Sequence, residues 1–151
     1  MQRLLDWAQK QPHVDSKRIV MTGNSGGGVL TAYTAAIDPR IAVAIPSCSF
    51  TSVTSGEGYL FRCDCCLVPG LRNWGDWSEL GGLIAPRHLL LVHGVSDGLH
   101  HRATVKKVAK SVSAIYESAA VADRMALKWG DAGHRFYPYL MWPFIEMGIG
   151  L

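Results

Sequence analysis

Ile19-Val20-Met21-Thr22-Gly23-Asn24-Ser25-Gly26-Gly27-Gly28-Val29-Leu30 is the stretch on which the reading of this chain turns. It opens on an apolar run short enough for a buried strand, and it leads into an alanine-rich segment, residues 29–36, suited to a helix lying close against a sheet. Between the two sits one serine among glycines. A sharp strand-to-helix corner lifts a hydroxyl clear of a parallel sheet and sets backbone amides beneath it. The same glycines also suit a plain flexible turn. A phosphate loop would want a lysine after them, and none follows.

Before this stretch, Met1, Leu4, Leu5 and Ala8 recur at helical spacing, so residues 1–10 are expected to form a helix closed by Pro12. A turn at Asp15-Ser16 then leads into a strand over residues 18–22. Asp38-Pro39 ends the helix after the corner, because proline disfavours helical geometry in the residue before it. Residues 41–45 are apolar throughout, as in a strand covered on both faces; residues 88–93 share that interior, and 125–129 are a weaker case. The region 46–87 is too long for a plain connection and reads as a lid or binding loop, with a short helix over 76–80. Helices are expected over 102–119, with Ala103, Val105, Val108, Val112 and Ile115 as the apolar stripe, and over 139–148, interrupted by Pro143. Strands interspersed with helices in this order give an α/β fold: one domain over residues 1–151, with a mainly parallel sheet flanked by helices.

With 151 residues and 48% apolar content, the chain can bury one core. Its net charge of +3 comes from 15 basic and 12 acidic residues spread along the length, without the concentrated positive field that nucleic acid binding needs. No apolar run reaches the roughly 18 residues of a membrane span, and the opening residues lack the apolar core of a secretion signal. Cys63, Cys65 and Cys66 crowd together, apart from Cys48, in a spacing that suits neither a disulfide framework nor a structural zinc site. Free thiols in a reducing cytosol are the favoured expectation, with export left open, and no metal or cofactor is expected.

A serine hydroxyl needs a base within hydrogen-bond reach and an acid to orient that base. Ser25 is the candidate nucleophile, and the Gly26 amide would face the oxyanion of a tetrahedral intermediate. Gly23 and Gly27 are expected to relieve crowding at the corner. Asp97 is the candidate acid, in Gly94-Val95-Ser96-Asp97-Gly98 at the carboxyl end of a strand, where parallel sheets build their sites. An aspartate before glycine is also an ordinary turn residue. His134 is the candidate base, after the last strand, with Gly133 beside it permitting a tight loop. His13 and His88 fall toward the amino edge and His93 within its strand, while His100 and His101 share the acid's loop, where one of them would line the entrance. The order nucleophile, acid, histidine is that of a sheet whose nucleophile elbow comes first.

The expected activity is that of a serine carboxylesterase hydrolysing small acyl or acetyl esters through an acyl-enzyme. A non-catalytic or weakened hydrolase-like domain and a serine peptidase or amidase are the alternatives. Tyr59, Phe61, Trp74 and Trp77 would either wall an acyl or sugar pocket or belong to the core.

Val14-Asp15-Ser16-Lys17-Arg18-Ile19 running into Gly23-Asn24-Ser25-Gly26-Gly27, then Asp38-Pro39-Arg40-Ile41, Leu83-Ile84-Ala85-Pro86-Arg87 and Gly133-His134-Arg135-Phe136, together resemble the α/β-hydrolase superfamily. More narrowly, they resemble the carboxyl-terminal half of its acetyl xylan esterase and dienelactone hydrolase-like branch. The cysteine-rich stretch 63–66 has no counterpart in that resemblance. The resemblance implies triad roles for Ser25, Asp97 and His134. It also implies a truncated form of the fold, lacking the amino-terminal strands and the loop that gives the second oxyanion donor. The elbow's strand would then lie at an exposed sheet edge, which invites pairing. The expected partners are therefore a small ester substrate and either a second copy of the chain or the rest of a longer protein.

Overall fold

The computed structural model of the protein describes residues 1–55 and 68–151. Along the chain come α1 (Gln2–Ala8), β1 (Ile19–Asn24), α2 (Gly26–Ile37), β2 (Ile41–Ser47), a 3-10 turn at Leu71–Asn73 and α3 (Trp77–Gly82). They are followed by β3 (His88–Gly94), α4 (Arg102–Ser118), a 3-10 turn at Ala122–Arg124, β4 (Met125–Gly130) and α5 (Pro138–Ile149). The strands form one sheet in the order β1-β2-β3-β4, and every neighbouring pair is parallel. The α/β expectation therefore holds, with helices on both faces.

Each strand's composition matches its place in the sheet. Central β3 sends Leu89 and Leu91 into one apolar cluster with Val29, Ala32, Trp77, Val108 and Val112, so α2, α3 and α4 cover that face. Leu90 and Val92 point the other way, against Tyr137, Met141, Phe144 and Ile145 of the α5 region. This two-sided cover is why these strands read as continuous apolar runs instead of alternating ones. β1 is only partly buried, because β2 is its one sheet neighbour among the described residues.

Several boundaries differ from the sequence expectation for identifiable reasons. β1 continues past residue 22 to Asn24, and β2 past 45 to Ser47, because the ladder runs on through Gly23 opposite Pro46 and Asn24 opposite Ser47. The stripe on α4 is Val105, Val108, Ala109, Val112 and Tyr116, whereas Ala103 and Ile115 are exposed. Tyr116 belongs there because its ring packs in the core while its hydroxyl donates to the Arg87 carbonyl at 2.9 Å. On α1 only Leu5 is buried, and Leu4 and Trp7 face outward.

Within the long 46–87 region, α3 starts where Asp76 builds a capping box. Its carboxylate accepts from the Trp77 amide, and the Glu79 side chain reaches back to the Asp76 amide. Asp76 also accepts from the Val53 amide at 2.8 Å, the Thr54 hydroxyl at 2.8 Å and the Ser52 hydroxyl, tying the segment after β2 to this helix. At the opposite end of the sheet, Arg87 donates to the carbonyls of Ala35, Asp38 and Ile41, so one cation closes the carboxyl end of α2 against β2.

Candidate active site

The glycine-rich corner is a tight elbow. Ser25 takes φ 54° and ψ −117° as the residue before α2, a backbone conformation that L-residues rarely adopt and that costs on the order of 1–3 kcal/mol. Two bonds hold it there: the Ser25 amide donates to the Ser47 carbonyl, and the Ser25 carbonyl accepts from the Val29 amide, each at 2.9 Å. Beside them, the Ser47 hydroxyl donates to Asn24 Oδ1 at 3.0 Å.

Not every glycine here is sterically required. A Cβ at Gly23 would stand 2.5 Å from the Gly27 carbonyl carbon and 2.6 Å from its oxygen, and one at Gly28 would run into Ser49 Oγ and stand 2.7 Å from the Ser47 carbonyl oxygen. Gly26 and Gly27 have open space where a Cβ would go. The crowding expected at Gly23 and Gly27 is thus relieved at Gly23 and Gly28. Gly26 opens α2, so its amide belongs to the first-turn donors that no intrahelical carbonyl can satisfy.

Asp97 and His134 lie beyond β3 and β4 on the same carboxyl edge of the sheet, in loops joined by backbone hydrogen bonds. Val95 donates to the Gly130 carbonyl at 2.9 Å, and Ser96 to the Ala132 carbonyl at 3.1 Å. The histidine loop lies so close on β3 that any side chain at Gly94 would collide with the Gly133 and Ala132 carbonyls. The Tyr137 hydroxyl pins the loop by donating to the Gly133 carbonyl at 2.6 Å. Farther on, the Arg135 carbonyl accepts from the Cys48 thiol at 3.4 Å, so the loop from β4 crosses β3 and reaches the end of β2. It arrives beside Ser47, the residue that anchors Ser25.

Asp97 Oδ2 lies 2.9 Å from His134 Nδ1, and Oδ1 accepts from the Leu99 amide at 2.9 Å. Burial works to raise the Asp97 pKa, but the Leu99 amide and the His134 hydrogen bond outweigh it and hold the carboxyl below its ordinary value. Asp97 is therefore a buried carboxylate, suited to hold the His134 ring in one tautomer. His134 Nε2 is buried and has no hydrogen-bond partner among the described residues, so Ser25 Oγ and His134 Nε2 are not joined. The structure brings Asp97 and His134 together and places Ser25 on the same edge, short of a hydrogen bond to His134.

The other histidines sort themselves by burial. His88 opens β3 at the amino edge, as expected. His93 is fully buried near the carboxyl end of β3, its Nε2 3.1 Å from the Phe50 carbonyl oxygen, and burial lowers its pKa to about 3, so the ring stays neutral. His100 is buried too, with Nδ1 3.4 Å from Asp97 Oδ2, whereas His101 is exposed. Sequence spacing alone did not distinguish these two neighbours. The signal was the helix that follows: His101 is its cap position, which leaves His100 to turn inward.

Trp77 belongs to the core, edge-on to Tyr33 and Phe50 at 5.7 and 5.1 Å, while Trp74 is exposed. Tyr59, Phe61, Cys63, Cys65 and Cys66 lie outside the described residues. A polar cavity of about 420 Å³ beside Asp76 and Lys107 and an apolar groove of about 350 Å³ between β1 and α5 are both lined by residues other than Ser25, Asp97 and His134.

The fold recurs in known proteins. The acetyl xylan esterase (AXE1) family model matches residues 1–54, the portion that holds the elbow. YtaP of Bacillus subtilis (strain 168), a hydrolase by name, is 33% identical over 138 residues, covering 86% of this chain and 44% of YtaP. A carbohydrate esterase family 15 glucuronoyl esterase from Caldicellulosiruptor kristjansonii superposes with a TM-score of 0.83 at 22% identity, over 99% of this chain and 49% of that one. Methylesterase BT1017 superposes with a TM-score of 0.76 at 25% identity, over 97% of this chain and 33% of its own. The chain thus spans less than half the length of each of these three proteins. The likeness runs to acetyl xylan and glucuronoyl esterase folds and not specifically to dienelactone hydrolase. With backbone similarity this close over nearly all of its length, the chain has an α/β-hydrolase-like fold.

Proposed function

We propose that this chain carries the nucleophile, base and acid of a serine carboxylesterase: Ser25, His134 and Asp97. One observation carries the reading, the 2.9 Å pair between a buried Asp97 carboxylate and His134 Nδ1 on the sheet edge that also bears the strained Ser25. With Nδ1–H directed at Asp97, Nε2 keeps its lone pair and takes the proton of Ser25 as the serine oxygen attacks an ester carbonyl. The Gly26 amide donates to the resulting oxyanion. Collapse expels the alcohol, protonated by His134, and leaves an acyl-serine. Water then attacks that ester with His134 again as base, releasing the acid and restoring Ser25.

The substrate class is supported by the names of the matching family and structures, an acetyl xylan esterase, a glucuronoyl esterase and a methylesterase: we propose a small ester carried on a sugar. The assay is hydrolysis of an aryl acetate and of acetylated xylan by the wild type, Ser25→Ala and His134→Ala. Turnover that survives in Ser25→Ala would refute the assignment. Hydrolysis of an anilide at a rate near that of the ester would favour the peptidase or amidase reading.

A weakened hydrolase-like domain is the second reading, favoured by the missing Ser25–His134 hydrogen bond. Lack of a second oxyanion donor would cost about 3 kcal/mol, roughly a factor of 100 in rate. Adding an amino-terminal half from one of the longer relatives in trans separates the two readings. A large gain in rate supports an incomplete site.

A further inference from the structure

We propose that Asp97, His100 and His134 form a three-ligand site for Zn²⁺, and that filling it switches the hydrolase off. The binding half stands on geometry alone, whereas the switching half rests on the esterase reading.

The three side chains present donor atoms that all lie within 4.8 Å of one another. Asp97 Oδ2 is the hub, 2.9 Å from His134 Nδ1 and 3.4 Å from His100 Nδ1. Ligands about 2.0–2.1 Å from a tetrahedral zinc stand roughly 3.3 Å apart, so both spacings are close to those of a zinc site before any side chain moves. Two imidazoles and one carboxylate suit zinc, whereas calcium and magnesium prefer all-oxygen shells. Three protein ligands leave a fourth position for water.

The surroundings are those of a built site. The Leu99 amide holds the other Asp97 oxygen at 2.9 Å, an outer hydrogen bond of the kind that orients ligating carboxylates. Asp97 and His100 are buried, and His134 is partly exposed, which leaves a way in from solvent past its ring. A second grouping, Cys48 with His93 and Asp97, shares the hub. Cys48 and His93 are both fully enclosed, so that set lacks such an approach.

Zinc at this point would take the His134 Nδ1 lone pair and the Asp97 oxygen, and the ring's one proton would move by way of solvent to Nε2, where it fills the lone pair that accepts the Ser25 proton. The hydrogen bond that keeps His134 ready to accept the Ser25 proton would be gone. Inhibition would be reversed by a chelator.

The test is titration of the apoprotein with ZnCl₂ against a colorimetric chelator, in wild type, His100→Ala and His101→Ala. Wild type and His101→Ala should each bind one equivalent, and His100→Ala should bind at least about 100-fold more weakly. Cobalt(II) on wild-type protein provides a reading independent of any variant's folding, with visible bands of a nitrogen and oxygen site and no thiolate-to-cobalt charge-transfer band. Absence of a one-to-one complex, a thiolate band, or equal affinity in folded His100→Ala would overturn the site. In an aryl acetate assay, each protein compared with and without ZnCl₂, wild type should lose activity in step with occupancy and His100→Ala should resist. Zinc bound without inhibition would overturn the switch alone. A protein inactive even after chelator treatment would overturn the esterase reading and the switch with it, while the titration still decides the site.

Discussion

Gly23→Ala should damage both the stability and the chemistry of this protein, and Gly27→Ala should damage neither. The new methyl at position 23 would stand 2.5 Å from the Gly27 carbonyl carbon, where ordinary contact begins at 3.4 Å, so the first turn of α2 must retreat by about 0.9 Å. The obstacle is backbone, with no rotamer to relieve it. Overpacking of this kind costs about 1–3 kcal/mol, and the rigid elbow places Gly23→Ala at the upper end. For a chain of this size that lowers the melting temperature by roughly 6–12 °C. A displacement of nearly 1 Å at the nucleophile costs about 100-fold in turnover. At Gly27 the added methyl would enter open space, and alanine exceeds glycine in helix propensity by about 1 kcal/mol. Thermal unfolding followed by circular dichroism, together with aryl acetate hydrolysis, reads both effects. If Gly23→Ala melts within about 2 °C of wild type and keeps its turnover, the elbow described here is wrong.

Other predictions rest on separate contacts. Asp97→Asn should leave the fold intact and lower turnover by about 10⁴-fold, because an amide no longer enforces the reactive tautomer; steady-state kinetics decides it. Asp76→Ala removes a cap and the bonds to Val53, Ser52 and Thr54, and should cost about 2–4 kcal/mol in urea unfolding; a loss under about 0.5 kcal/mol would contradict that role. Arg40, hydrogen-bonded to Asp38, holds that carboxyl below its ordinary value, so the unfolded chain takes up the proton first as pH falls. That contribution is whole above about pH 4 and is lost as pH drops through the folded pKa, so Asp38→Asn should flatten the acid limb of the stability curve. The edge of β1 left unpaired among the described residues should drive self-association, visible by light scattering; a clean monomer at micromolar concentration would refute it.

The parallel sheet was legible because β2 and β3 are enclosed on both faces, and that environment leaves uninterrupted apolar runs in the sequence. The elbow was legible because a strand, a glycine-flanked serine and a small-residue helix appear in order. Which glycines matter was not, since Gly28 is crowded by Ser47 and Ser49, residues far along the chain. The pairing of Asp97 with His134 could be inferred from loop order alone. The inward turn of His100 depends on where α4 begins, and the anchoring of Ser25 by the Ser47 carbonyl depends on strand register, neither of which periodicity resolves. Ala109 and Tyr116 were missed on α4 because a small residue and a tyrosine carry little apolar signal, although Tyr116 is wholly buried with its hydroxyl satisfied.

Activation of Ser25 as a nucleophile is read by covalent labelling with a fluorophosphonate followed by peptide mapping. One modified residue is expected, Ser25, with labelling abolished in Ser25→Ala and slowed in His134→Ala. Equal labelling of wild type and Ser25→Ala, or modification mapped to another serine, would contradict it.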